Sequence, residues 1–177
     1  MKKSNPVLKL VYAAVCLALC MVLPFLTGQI PQIGSALCPM HIPVLLAGFL
    51  CGPLYAALVG LIAPLLRFAL FGMPPIFPTG VAMCFELATY GLVSGILYKK
   101  LPRKTASIYA ALIIAMLSGR IVWGVVRAIL SGVSSAAFTW AAFLSGAFTT
   151  AIPGIIVHII LIPVLVIALQ KAKIIKD

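Results

Sequence analysis

Long apolar runs fill most of the chain, and short stretches that are polar or rich in Pro and Gly separate them. A transmembrane helix needs about 20 mainly apolar residues to cross about 30 Å of hydrocarbon. On that scale the sequence predicts six spans, near 8–26, 40–52, 53–72, 77–98, 107–130 and 143–169. The second run is short and continues into the third through Cys51-Gly52-Pro53, a turn signal that divides the stretch into two helices. The predicted fold class is therefore an all-α integral membrane bundle of six transmembrane helices, forming one domain over residues 1–177.

Composition excludes the other broad classes. Of 177 residues, 64% are hydrophobic and 8% are charged, whereas soluble domains carry about a quarter charged residues. So apolar a chain cannot stay solvated as a disordered protein. The net charge of +11 would suggest a nucleic-acid partner, but the basic residues lie in short clusters between apolar runs rather than on a polar face. We therefore expect a lipid bilayer as the surroundings and no nucleic acid as a partner.

Ten of the thirteen basic residues lie at or beyond the ends of the predicted spans, and they predict the orientation. They form three clusters: Lys2, Lys3 and Lys9; Lys99, Lys100, Arg103 and Lys104; Lys171, Lys173 and Lys176. With six spans all three clusters fall on one side, which the positive-inside rule makes cytoplasmic. The opposing loops, near 27–39, 73–76 and 131–142, contain no Lys or Arg. Both termini are therefore predicted to lie inside, since five or seven spans would scatter the clusters over both faces.

The basic and apolar start of the chain also resembles a signal peptide. Its apolar run is too long, however, and no convincing small-x-small cleavage site follows it. Leu17-Ala18-Leu19-Cys20 resembles a lipoprotein box, but Leu19 is too large for the position before the modified cysteine. We expect the segment to be retained as the first span.

Three arginines and one acid remain inside the predicted spans, namely Arg67, Arg120, Arg127 and Glu86. Ionisable groups in hydrocarbon cost several kcal/mol and by default mark a functional site. The alternative is that an Arg near a helix end extends its charged head to the lipid headgroups. That alternative fits Arg67 and Arg127 in part, because each lies near the predicted outer end of its span. It fits Arg120 poorly.

Spacing on the fifth span favours a binding site. Arg120 and Arg127 are seven residues apart, so they share a helix face at about 10 Å separation, and Trp123 lies between them. Glu86 on the fourth span can pair with only one arginine, which leaves about two positive charges. The simplest completion is an anionic ligand that Arg binds through two hydrogen bonds.

The histidines give weaker indications. His158 lies mid-span and is a weaker site candidate, because a lone histidine more often bonds to a neighbouring helix. His41, at the start of the second span, is interpreted as an ordinary interfacial residue. No local pair of metal ligands is present, so no metal site and no cofactor are predicted. No nucleophile with a base and no HExxH-like motif occurs, so an enzyme is not predicted.

Two motifs and the topology together resemble a known family. Ala14-x-x-x-Ala18 lies on the first span, and the segment GSALCPMHIPVLLAGFLCGP runs from Gly34 to Pro53. With six spans and an inside N-terminus, the chain resembles the substrate-binding S components of energy-coupling factor (ECF) vitamin transporters, in particular the riboflavin, pantothenate and folate branch.

The resemblance implies a role for this chain. An S component captures a micronutrient from outside with high affinity, in a pocket lined by helices four to six and the loop after the first helix. It then topples in the bacterial cytoplasmic membrane and releases its substrate inside. Two cytosolic ATPases drive this importer of the ABC class through a transmembrane coupling subunit, which Ala14 and Ala18 would contact.

The positive charge of the arginines inside the predicted spans ranks the candidate substrates. The arginines suit a carboxylate, so pantothenate is favoured, and folate, biotin, nicotinate and a phosphate-bearing ligand stay open. Riboflavin is neutral and would leave the positive charge without a counterpart, yet the resemblance to its branch keeps it open. A stand-alone secondary carrier for a small organic anion is the alternative class, and it should show inverted repeats, which the sequence lacks.

Overall fold

The computed structural model describes residues 5–27, 30–102, 104–132 and 138–175. Within these ranges the chain forms eight α-helices and no strand. The helices are α1 Pro6–Val22, α2 Pro31–Leu37, α3 His41–Cys51, α4 Pro53–Phe71, α5 Val81–Lys100, α6 Thr105–Ser131, α7 Trp140–Leu144 and α8 Ile152–Lys171. Short helical turns of 3-10 or π type follow α1 at Leu23–Thr27, precede α5 at Ile76–Gly80 and follow α7 at Ser145–Thr149.

Six helical segments are long and apolar enough to cross a membrane, so the predicted fold class is confirmed. They are Pro6–Thr27, Pro31–Cys51, Pro53–Phe71, Ile76–Lys100, Thr105–Ser131 and Trp140–Lys171. Large apolar side chains such as Leu54, Ile129 and Ile160 are exposed on the outside of the bundle, where lipid tails are an apolar solvent.

The predicted break between the second and third spans is confirmed at one glycine. The helix α3 ends at Cys51 and α4 begins at Pro53, and Gly52 between them has φ +86°. Only glycine adopts such a conformation without strain, and a proline at the first helical position suits the start of α4.

The loop predicted over 27–39 is wrong in one respect, because residues 31–37 form α2. Pro31 occupies its first position, and Cys38 ends it in a left-handed conformation with φ +47°. A helix of 7 residues is too short to be recognised on the scale of a membrane crossing. Together α2 and α3 make the second span.

The helix α5 is central and packs against α3, α4 and α6. Glycines on α5 allow this close approach. A Cβ atom at Gly91 would lie 2.5 Å from the backbone of Ala56 on α4, and one at Gly95 would lie 2.6 Å from the nitrogen of Pro53. The small-xxx-small pair at Gly91 and Gly95 therefore serves packing inside the bundle.

The two ends of the bundle differ in charge. The Gln170 amide of α8 donates a hydrogen bond to the Tyr98 hydroxyl of α5 at 2.7 Å, so Lys99, Lys100 and Lys171 come together at one end, here called the basic end. Four residues of the predicted basic clusters, Lys2, Lys3, Arg103 and Lys176, lie outside the described residues. The opposite end, where α4 and α6 finish, is called the cavity end.

Candidate functional site

A cavity of about 490 Å³ lies towards the cavity end, and all six membrane-spanning segments contribute to its wall. Its volume falls in the range of about 300–1,000 Å³ that is typical of small-molecule sites. Much of the wall is apolar, with Met40 and Met83 among the side chains that line it. The hydroxyl and amide side chains in the wall are those of Thr27, Gln32, Ser35, Thr79 and Thr150.

Four of the six residues predicted to bind substrate line this cavity. They are Arg67, Glu86, Arg120 and Trp123, contributed by α4, α5 and α6. The other two, Arg127 and His158, are not part of the wall.

Glu86 and Arg120 form a buried ion pair. Arg120 Nη1 lies 2.9 Å from Glu86 Oε1, and the Tyr90 hydroxyl donates to the same oxygen at 3.0 Å. Arg120 Nη2 donates to Cys38 Sγ at 3.7 Å, while its Nε has no hydrogen-bond partner among the described residues. Glu86 is only 1% exposed, and pairing is what makes two charges tolerable at this depth. The sequence predicts that Glu86 pairs with one arginine, and in the structure that arginine is Arg120.

Both histidines are interior residues. His41 Nε2 lies 3.5 Å from Glu86 Oε1, and the His41 ring stacks on that of His158 with 6.0 Å between centroids. The interpretation of His41 as interfacial is wrong, because the second span begins at Pro31 and places His41 midway along it. His158 is buried and does not line the cavity itself, but its ring stacks on that of His41, which does.

Arg67 lines the cavity without a carboxylate partner among the described residues. Its Nη1 donates to the backbone carbonyl of Met21 at 2.7 Å. Its guanidinium lies 5.3 Å from the Phe25 ring centroid and 5.0 Å from that of Phe71. Ring faces attract a cation, but they do not cancel its charge. Arg67 is therefore the cation of the cavity whose charge no acid in the described residues compensates.

Arg127 lies outside the cavity, two helical turns beyond Arg120. Its guanidinium packs on the rings of Trp123 and Phe138, at 5.9 Å and 5.6 Å from their centroids. Arg120 and Arg127 both lie on α6, but their spacing could not show that Trp123 contacts both the cavity and Arg127. The three residues grouped by their spacing are thus divided, with Arg120 and Trp123 at the cavity and Arg127 beyond it.

Sequence reasoning missed Cys38 and Tyr90, which hold the ion pair. Tyr90 lies four residues after Glu86, and that spacing brings two side chains together on a helix, so the contact could have been recognised. Cys38 gave no signal, because its position depends on the unrecognised end of α2.

Ala14 and Ala18 are exposed on α1. The opposite face of α1 is buried in the bundle through Cys16 and Cys20. The two alanines therefore lie on an outer surface that another membrane protein could contact.

A model of a known protein family matches nearly the whole chain. The sequence model described as "ECF transporter, substrate-specific component" matches residues 8–166. The chain belongs to this family. Comparison with curated proteins and with solved structures gives no match.

Membership makes the protein the S component of an ECF importer, a transport subunit rather than an enzyme. The family implies a vitamin-type substrate and an energising ECF module as its partner. The six apolar helices fit a multi-pass membrane protein of this kind.

Proposed function

We propose that this S component captures a vitamin-type molecule that carries a carboxylate, and that pantothenate is the favoured ligand. The observation that carries the proposal is Arg67, a cation in the cavity wall with no acid beside it in the described residues. The charge of Arg120 is compensated by Glu86. A carboxylate in the cavity would complete the charge balance through Arg67.

The other lining residues suit pantothenate. Its hydroxyl and amide groups require hydrogen-bond partners, which the hydroxyls of Thr27, Ser35 and Thr150 and the amide of Gln32 can supply. Met40 and Met83 offer adaptable apolar contacts for its methyl groups. These features favour the riboflavin, pantothenate and folate branch of the family, and within it the anionic ligands.

Riboflavin is the rival ligand, and Trp123 favours it. An indole in the cavity wall offers a stacking surface for a flat ring. A neutral ligand would, however, leave Arg67 without a counter-charge. Membership in the family disfavours the stand-alone anion carrier.

The proposed binding site differs from the predicted set in two residues. Arg127 is left out, because it does not line the cavity. His158 is assigned a positioning role, because its ring supports that of His41 from behind. Direct contact with substrate is assigned to Arg67, Trp123 and the Glu86–Arg120 pair.

Ligand identification and calorimetry test the proposal. Mass spectrometry of the protein purified from its membrane should find pantothenate as a co-purified ligand. Loss of a charge-assisted hydrogen bond costs about 1.5–3 kcal/mol, so Arg67→Gln should weaken pantothenate binding about 10- to 100-fold. Arg67→Lys should restore part of that loss. Arg127→Gln is the matched control and should change the affinity by less than about threefold.

Either of two results would contradict the anionic ligand. One is a co-purified neutral vitamin, such as riboflavin, whose affinity Arg67→Gln does not change. The other is equal weakening by Arg67→Gln and Arg127→Gln, which would return Arg127 to the substrate site.

We further propose that the cavity opens to the outside of a bacterial cytoplasmic membrane and that both termini lie inside. The basic end carries Lys99, Lys100 and Lys171, and the cavity lies at the other end, as the positive-inside rule requires for capture from outside. The five native cysteines are buried, so a thiol introduced by Lys173→Cys should react with a membrane-impermeant reagent only from the cytoplasmic side. Labelling of the Lys173→Cys protein in intact cells from outside, above the level of the unaltered protein, whose Cys38 lines the cavity, would refute this orientation.

A further inference from the structure

A groove of about 410 Å³ lies on the flank of the bundle between α6 and the segment around α7. Its wall is nearly all apolar, and Thr139 is the polar side chain in it. Val125 is 53% exposed and Trp140 is 72% exposed, so the groove opens sideways, towards the lipid, rather than into the bundle. In a membrane protein such a surface is covered by acyl chains, and a concave one holds a chain in a defined place.

Arg127 adjoins this groove. Its guanidinium contacts the Phe138 ring, and Phe138 lines the groove. Arg127 Nε and Nη1 are buried and have no hydrogen-bond partner among the described residues. The other two intramembrane arginines have polar partners, Glu86 for Arg120 and the Met21 carbonyl for Arg67. The Arg127 guanidinium therefore has unused hydrogen-bond donors and an uncompensated positive charge among the described residues, and an anion would satisfy both.

The depth of Arg127 indicates which anion is near. The helix α6 runs from Thr105 to Ser131, so Arg127 lies nine residues beyond its midpoint, or about 14 Å along the axis. Half of the hydrocarbon thickness is about 15 Å, which places the guanidinium close to the level of the lipid headgroups. Trp140, which lines the same groove and is 72% exposed, is typical of the aromatic belt at a membrane interface.

We propose that the groove and Arg127 together bind an anionic glycerophospholipid. One acyl chain lies in the groove against Val125, Ala128 and Phe143, and the phosphate accepts hydrogen bonds from the Arg127 guanidinium once the Phe138 ring turns aside. A guanidinium fork matches two phosphate oxygens. A net negative headgroup is favoured over a zwitterionic one because the described residues around Arg127 provide no acid. We do not assign the substrate as the anion bound by Arg127. Arg127 does not line the cavity, and the indole of Trp123 contacts both the cavity and the Arg127 guanidinium.

Native mass spectrometry of the whole protein in detergent tests the proposal. The protein is titrated with phosphatidylglycerol and, separately, with phosphatidylcholine of the same acyl chains. We expect one phosphatidylglycerol to bind the unaltered protein about tenfold more tightly than it binds Arg127→Gln, as for the loss of a charge-assisted contact. Phosphatidylcholine should bind more weakly and should respond less to the substitution.

Two further variants make the result specific. Ala128→Trp fills the groove from its lipid side and keeps the charge, so it should also weaken phosphatidylglycerol binding, and it decides the matter if Arg127→Gln does not fold. Lys173→Gln removes one positive charge at the basic end and should leave lipid binding unchanged. Pantothenate affinity should stay unchanged in all three variants, which separates this site from the proposed function.

Four results would overturn the proposal. Equal binding of the two lipids would mean that the tails alone are recognised. Equal weakening by Lys173→Gln would mean that only total charge counts. Insensitivity to Ala128→Trp would remove the groove from the site. Displacement of phosphatidylglycerol by free pantothenate or inorganic phosphate would make Arg127 a contact for soluble anions instead of lipid.

Discussion

At the scale of single residues, Glu86 is the centre of the polar interior. Its Oε1 atom faces Arg120, Tyr90 and His41 at 2.9, 3.0 and 3.5 Å. A buried pair adds little net stability, but removing one partner leaves an uncompensated charge in a medium of low polarity. The pair therefore fixes the direction of the Arg120 guanidinium in the cavity wall and leaves the net positive charge to Arg67.

The ion pair predicts a specific pattern of stabilities. Glu86→Gln should lower the free energy of unfolding by about 3–5 kcal/mol, because Arg120 is then buried without its counter-charge. The double variant Glu86→Gln/Arg120→Gln should be less destabilised than the sum of the two single variants. Tyr90→Phe is the mild control and should cost about 1 kcal/mol. Reversible unfolding in detergent gives the free energy of unfolding of the unaltered protein and of the four variants, including the single variant Arg120→Gln. Additive effects of the two charge substitutions would show that the pair is not coupled.

The charges themselves were predictable from the sequence, and their partners were not. An Arg or Glu inside an apolar run is conspicuous because water is absent there, so Arg67, Glu86 and Arg120 were identified. Helical spacing gives the direction of a side chain around an axis, but not what packs against it. For that reason the sequence groups Arg127 with Arg120, and it gives no sign that Cys38 contacts Arg120.

At the scale of helices, close backbone contact decides the packing of α5. A Cβ atom at Gly91 would meet the carbonyl group of Ala56 at 2.5 Å, and two backbones cannot rotate away as a flexible side chain can. Without a hydrophobic effect between helices in lipid, such close van der Waals contact is a main source of association.

Gly91→Ala should destabilise the protein although alanine has the higher helix propensity. In an unhindered helix the change stabilises by up to about 1 kcal/mol. At Gly91 it would instead force α4 and α5 apart, so the temperature of unfolding in detergent should fall. The matched control is Gly34→Ala on α2, where the nearest atom to the new Cβ is Thr27 Oγ1 at 4.0 Å. Gly34→Ala should be neutral or stabilising, and the same sign for both substitutions would refute the packing role of Gly91.

The helices that cross the membrane were predictable, because each crossing requires about 20 apolar residues. The short helix α2 was not. Its start at Pro31 is a familiar signal, but its 7 residues are mixed in polarity and resemble a loop. That omission had a consequence for the site, since α2 supplies Gln32 and Ser35 to the cavity wall and moves His41 from the membrane surface to the interior.

At the scale of the whole molecule, the charge of +11 divides by location. The lysines at the basic end support the proposed orientation, whereas Arg67 is the proposed contact for the ligand and Arg127 the proposed contact for the lipid. The remaining requirement of an S component is contact with the energising module. The outer face of α1 is suited to it, because Ala14 and Ala18 are exposed there and small side chains allow another helix to approach closely.

Bulky side chains on this face should therefore separate uptake from binding. Ala14→Trp and Ala18→Trp should abolish uptake of pantothenate into cells that express the complete ECF transporter, since an indole would hold the coupling subunit away from α1. The cavity lies apart from this face, so calorimetry on the purified variants should give unchanged affinity. Leu19→Trp is the matched control: Leu19 is exposed on another side of the same helix, and its substitution should leave uptake intact.

Loss of binding together with uptake would mean that the alanines support the fold rather than the coupling contact. Uptake by this protein in a host without any ECF module would refute the need for a partner altogether.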